Sequence, residues 1–176
     1  ENFHLAVSEN FVDATTGSGL VHLSPANGEE DIKIANKLKS KFPYIKIILK
    51  GALFYDIPKE ALEELDLNSI DVLIGGESDF LLVSVVDAIA AEDGTISSIP
   101  GILYKLNGIW NSTAFGMWEK DLDALPFPDR ESMKNELYFR PDTGAPQATI
   151  TTSRGCGAKC TYCLTPKISG TSIRYR

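Results

Sequence analysis

The chain's only three cysteines fall in one eight-residue run, Cys156-Gly-Ala-Lys-Cys160-Thr-Tyr-Cys163. A CxxxCxxC triplet presents three thiolates from one tight loop. That donor set suits an iron–sulfur cluster, which ordinarily takes four cysteine ligands, with one iron left open to bind a small molecule. Other uses of three cysteines remain to be weighed. Buried core cysteines are possible, but Gly155, Gly157 and Lys159 make the segment a loop rather than an apolar face. Structural zinc ordinarily takes four ligands, often from CxxC pairs. No fourth cysteine exists, and His4 and His22 lie far away in sequence. A bacterial ferredoxin site has a different spacing and a fourth cysteine.

Composition sets the background for this loop. The chain has 176 residues, 43% hydrophobic and 23% charged, a globular profile with room for one full domain and part of another. No apolar run approaches the roughly 20 residues that span a bilayer. A net charge of −7 argues against a general nucleic-acid binder. The charge is uneven, because Arg154 to Arg176 carries five basic residues and no acidic one. An odd cysteine count and first residues without signal-peptide character predict a reducing, cytoplasmic location.

Strand and helix signals alternate over the first hundred residues. Leu20–Leu23 is a strand, followed by a loop over Ser24–Gly28. Asn27 and Glu30 resemble a capping box. Glu29 to Phe42 is an amphipathic helix with Ile34, Ala35, Leu38 and Phe42 on one face, ended by Pro43. Ile45–Leu49 and Ile70–Ile74 are apolar runs of the kind buried parallel strands carry. Pro58 opens a short helix through Leu65, and Ser78 is placed to cap a helix over Asp79 to Ala91 that Gly94 ends. Ile102–Leu106, Asn107-Gly108 and Ile109-Trp110 make a hairpin. His4 to Ser8 is a further strand candidate, and Thr15 to Gly19 a loop. The alternation predicts a parallel α/β sheet, which binds ligands beyond the carboxyl ends of its strands. Gly51, Gly75 and Gly76 stand at two such ends, although each glycine is equally readable as a tight turn.

A linker rich in proline and acid follows, and Gln147 to Thr152 alternates as a strand leading into the cysteines. The domain reading is therefore 1–118 for the α/β domain, 119–146 for a linker, and 147–176 for the start of a second domain.

The run Thr151-Thr-Ser-Arg-Gly-Cys-Gly-Ala-Lys-Cys-Thr-Tyr-Cys-Leu-Thr-Pro166 resembles the radical S-adenosylmethionine (radical SAM) superfamily. Ile99–Tyr104 and the Leu125-Pro-Phe-Pro128 linker resemble members with an N-terminal cobalamin-binding-like domain, which implies a Rossmann-like fold for residues 1–118. The resemblance implies the first strand and cysteine loop of a truncated radical SAM partial (β/α) barrel after residue 146. It implies a 4Fe–4S cluster on Cys156, Cys160 and Cys163 as metal ligands. S-adenosylmethionine would chelate the open iron and be cleaved reductively to start methyl transfer or rearrangement on an unactivated carbon. It places the Tyr162 backbone near the adenine, and gives Gly51, Gly75 and Gly76 a cofactor-binding role.

Cobalamin is a further cofactor that the resemblance allows, although Asp-x-His-x-x-Gly is absent: Asp13 is followed by Ala-Thr-Thr-Gly. An electron donor such as a flavodoxin or ferredoxin is implied, with a small-molecule or lipid-like substrate. The remaining barrel units would lie beyond Arg176, so the chain is expected to be a fragment without turnover of its own. Two other readings stay open. One is a cobalamin- or nucleotide-binding α/β module with a redox or electron-transfer iron–sulfur site, and the other is a zinc-stabilised interaction protein.

Overall fold

The computed structural model describes residues 11–13, 18–22, 28–131 and 134–176. The expected strand at His4–Ser8, the Asn27 capping box and most of the Ser24–Gly28 loop lie outside these residues. Six strands form one sheet in chain order: β1 (Phe11–Asp13), β2 (Ser18–His22), β3 (Lys46–Lys50), β4 (Val72–Ile74), β5 (Ile102–Leu106) and β6 (Ile109–Ser112). Helices α1 (Gly28–Lys41), α2 (Lys59–Glu63) and α3 (Leu82–Ala91) lie between them in the chain.

The parallel-sheet expectation needs correction. Only β2, β3 and β4 run parallel. β1 pairs antiparallel on one edge, and the β5–β6 hairpin joins β4 antiparallel on the other. Short connections force β1 against β2 and β6 against β5 antiparallel, since a parallel return needs a crossover of a dozen or more residues. The connection from β4 to β5 is long and carries α3, so its length does not dictate the antiparallel pairing there. The hairpin turn itself follows from sequence, since Asn107 (φ 51) and Gly108 (φ 80) both take the left-handed conformation that a two-residue hairpin loop requires.

Alternation along the central strands divides the core into two layers. Ile47, Leu49 and Leu73 face one way and pack with Ile32 and Ala35 of α1 and Leu62 of α2. Ile48, Val72 and Ile74 face the other way, against Val85 and Ala88 of α3. Successive crossovers of one hand place α1 and α2 on the same face. Each fully buried Ile or Leu contributes about 2 kcal/mol to holding these layers. At the amino end of β4, Asp71 accepts the Ile47 amide at 2.8 Å and pairs with Lys39 at 3.2 Å.

Some boundaries differ from expectation. Ser78 is buried, but it is its carbonyl that accepts the Leu81 and Leu82 amides. The N-cap of α3 is Leu81, without a side-chain cap. Glu92 (φ 51), not Gly94, takes the left-handed turn at the helix end. Gln147–Thr152 is not a strand. β7 covers only Ser153–Arg154 and pairs antiparallel with β8, Arg174–Tyr175. A strand is defined by a ladder, and β8 reaches only those two residues; Ile150 is 75% exposed.

Candidate functional site

The carboxyl ends of β3 and β4 open on a cleft of about 430 Å³. Tyr55, Asp56 and Ile57 line it from the turn after β3, Gly75 and Gly76 from the end of β4, and Ser112, Thr113 and Phe115 from the end of β6. Asp56 has φ 57, an uncommon conformation for a residue with a side chain and one that clusters at functional sites. The ligand position expected for a parallel sheet is thus a real concavity.

The three glycines differ in role. Gly51 is buried and caps a short 3-10 turn, Ala52–Phe54. Its amide donates to the Ile74 carbonyl at 3.0 Å, and it does not line the cleft. Gly75 is required by contact, because a Cβ there would lie 2.2 Å from the Tyr55 nitrogen. A Cβ on Gly76 would meet the Phe115 ring at 3.2 Å. The Phe115 ring packs edge-on to Tyr55 at 5.0 Å and tilts against Trp118 at 5.1 Å.

Trp118 carries this aromatic cluster to the cysteine segment. Its indole N–H donates to the Ile168 carbonyl at 2.8 Å. Ile168 lies in the short helix α4 (Thr165–Ser169), which follows the last cysteine. Gly170 takes φ 83, and a Cβ there would press on the Trp118 ring at 3.0 Å. The Gly170 carbonyl accepts the Cys156 amide at 3.0 Å.

All three cysteines are free thiols, Cys160 exposed and the other two half-buried. The Cys163 amide donates to the Cys160 carbonyl at 3.2 Å. The hydroxyl of Thr165, and then its backbone amide, bond the Cys163 sulfur and hold its thiol below the ordinary range. Among the described residues, no three His, Cys, Asp or Glu side chains converge as a metal site. The fit to an iron–sulfur cluster therefore rests on donor chemistry: three soft, accessible sulfurs on one short loop, one of them already biased toward thiolate. Tyr162 projects outward at 89% exposure.

Glu77 closes the Gly75-Gly76-Glu77 run, and nothing in the sequence marks its charge partner. Its carboxylate receives both terminal nitrogens of Arg174, at 2.6 and 3.0 Å. Arg154 lies 3.7 Å from Glu77 and 2.7 Å from Asp79. Phe115 and Trp118 were also missed, since their segment has no period to mark them.

No family model matches the chain. Isoleucine–tRNA ligases of Tropheryma whipplei, strains Twist and TW08/27, are 38% identical over 56 residues, 32% of this chain and 5% of theirs. Among solved structures, the cobalamin-dependent S-adenosylmethionine radical enzyme OxsB, with aqua-cobalamin and S-adenosylmethionine bound, matches 89% of this chain with TM-score 0.63 and 17% identity. The radical S-adenosylmethionine methyltransferase TsrM from Kitasatospora setae matches 84% with TM-score 0.53 and 17% identity, in structures with tryptophan and a cofactor analogue or with cobalamin and a 4Fe–4S cluster. The chain spans 21% of the OxsB chain and 28% to 29% of the TsrM chains. Over the length that it spans, this chain has the fold of the cobalamin-dependent radical S-adenosylmethionine enzymes.

Proposed function

We propose that this chain contributes the cofactor-facing parts of a radical SAM enzyme of the cobalamin-binding-like type. The observation that carries the reading is the CxxxCxxC loop, docked through Trp118 and Arg174 onto the carboxyl end of the α/β sheet. Residues 1–118 are the ligand-binding α/β unit, 119–146 the linker and 147–176 the opening of the cluster-binding domain. Cys156, Cys160 and Cys163 would hold the cluster. When bound, a 4Fe–4S cluster with an open iron supplies the electron that cleaves S-adenosylmethionine and starts radical chemistry, such as methyl transfer or rearrangement on an unactivated carbon.

The chain's own residues perform the positioning. Gly155 (φ 88) turns the backbone into the loop against the Ser172 carbonyl, where no side chain fits. Thr165 favours the anionic form of the Cys163 sulfur, the form that ligates metal. The cleft beside Gly75 and Gly76 is the cofactor position on the sheet side, and cobalamin is the ligand proposed for it. Gly51 supports that position through its amide bond to Ile74 rather than from the lining. Tyr162 stands ready to meet the adenine of S-adenosylmethionine through its backbone. An electron donor of the flavodoxin or ferredoxin type and a small-molecule or lipid-like substrate complete the proposal.

Anaerobic reconstitution with iron and sulfide, followed by electron paramagnetic resonance of the reduced sample, tests it. The expected result is a cluster signal that shifts when S-adenosylmethionine is added. A cluster signal indifferent to the cofactor would redirect the assignment to electron transfer, and retained zinc without a cluster would redirect it to a structural metal.

A further inference from the structure

We propose that Glu77 is a positioning residue for the cysteine loop, setting where Cys156 stands relative to the cleft at the strand ends. The pair it forms with Arg174 is buried, with side chains 9% and 8% exposed. Arg174 uses its fork in two directions. One edge grips the Glu77 carboxylate at 2.6 and 3.0 Å. Its remaining terminal hydrogens hold the Ser169 carbonyl at 2.7 Å and the Glu119 carbonyl at 2.6 Å. Ser169 adjoins Gly170, whose carbonyl takes the Cys156 amide. On the other flank, Arg154 sits two residues before Cys156 and pairs with Asp79. Both approaches to Cys156 are therefore tied to carboxylates within three residues of Gly76 of the cleft.

Charge decides why this tie is specific. A planar guanidinium matches a carboxylate in two parallel bonds, and lysine cannot reproduce that geometry. A buried ion pair is strongly destabilised when one partner is removed, because the other charge stays unpaired. The geometry fixes an orientation as well as a distance, which one apolar contact would not do. The consequence for catalysis, that Glu77 holds the cluster ligands over the cleft, rests on the function proposed above.

Site-resolved alkylation of the reduced, metal-free chain by iodoacetamide tests the placement without needing a cluster. In Glu77→Gln, the Cys156 rate is expected to rise on the order of tenfold while exposed Cys160 is unchanged, as local release of a docked segment predicts. Glu77→Asp gives a smaller rise. Arg174→Lys, which keeps the charge and loses the fork, also releases Cys156 and serves if Glu77→Gln does not fold. An unchanged Cys156 rate in the folded variants overturns the proposal. So does a parallel rise at all three cysteines with a lowered melting temperature, since that marks general destabilisation. A chain that takes up no cluster would sink the radical SAM reading and leave this result legible.

Discussion

A Cβ placed on Gly75 would stand 2.2 Å from the backbone nitrogen of Tyr55 and 2.4 Å from the carbonyl carbon of Phe54. The end of β4 thus lies directly on the turn that follows β3. Phe54 is 1% exposed and belongs to the core layer beneath α1 and α2, so this turn has no free direction in which to withdraw. Gly75→Ala is therefore expected to cost about 3 kcal/mol, at the upper end for overpacking because backbone must move. The urea unfolding midpoint should fall accordingly. A variant with wild-type stability would mean that Gly75 serves the cleft rather than its walls.

Gly155 has the same kind of constraint one residue before the cysteines. At φ 88, a Cβ would meet the Ser172 carbonyl oxygen at 2.2 Å and the Ser169 oxygen at 3.1 Å. Gly155→Ala adds left-handed strain to that collision, at about 1–2 kcal/mol before any clash. The two core layers lie elsewhere, so far-UV circular dichroism should hold while iron uptake on reconstitution falls. Equal loss of both would mean that the loop and the sheet unfold together.

Lys105 supplies a pH test of the β5–β6 edge. Its ammonium donates to the Leu67 carbonyl at 2.8 Å and lies over the Trp110 ring at 4.8 Å. Burial pushes its pKa down, against the attraction of Asp71. A lysine depressed in the folded state loses its proton there first. The unfolded chain then binds more protons just below the ordinary lysine value of about 10.4, and stability rises with pH through that window. Urea midpoints measured from neutral into alkaline solution should show the wild type gaining on Lys105→Met. A constant difference between the two would deny the depressed value.

Legibility from sequence followed the range of the interaction. The Asn107-Gly108 turn was readable because its requirement for positive φ at both positions is local. The apolar runs at Ile45–Leu49 and Ile70–Ile74 marked central strands because those residues are buried on both faces. The direction of β1 against β2 and of β5 against β4 was not readable. It depends on which neighbour a segment meets, and β1 and β5 carry no mark of that choice. The alternation of Gln147–Thr152 looked like a strand, but pattern cannot supply the partner that a ladder needs. The spacing of Cys156, Cys160 and Cys163 is local and makes them candidate ligands, which is as far as a pattern reaches. The Glu77–Arg174 pair joins residues 97 apart in the chain, and no local pattern links an acid after two glycines with an arginine after Ile173.

The cysteine triplet gives the test that separates the metal readings. Iron–sulfur clusters with three protein ligands keep one iron open, whereas a structural zinc site closes with four. Serine at Cys156, Cys160 or Cys163 leaves loop size nearly unchanged and removes a thiolate. If the three sulfurs share one cluster, each single variant should lose most of its iron on reconstitution and its visible absorbance. If the metal were zinc with a fourth ligand from outside the loop, the wild type should keep zinc after purification without added iron. Thr165→Val adds a graded probe. It removes the hydroxyl that is the main cause of the lowered Cys163 thiol, while the Thr165 backbone amide remains. Cluster assembly in that variant should slow without being abolished, because hydrogen bonds to a ligand sulfur tune it and do not replace it. Assembly at the wild-type rate would show that Thr165 only terminates the loop.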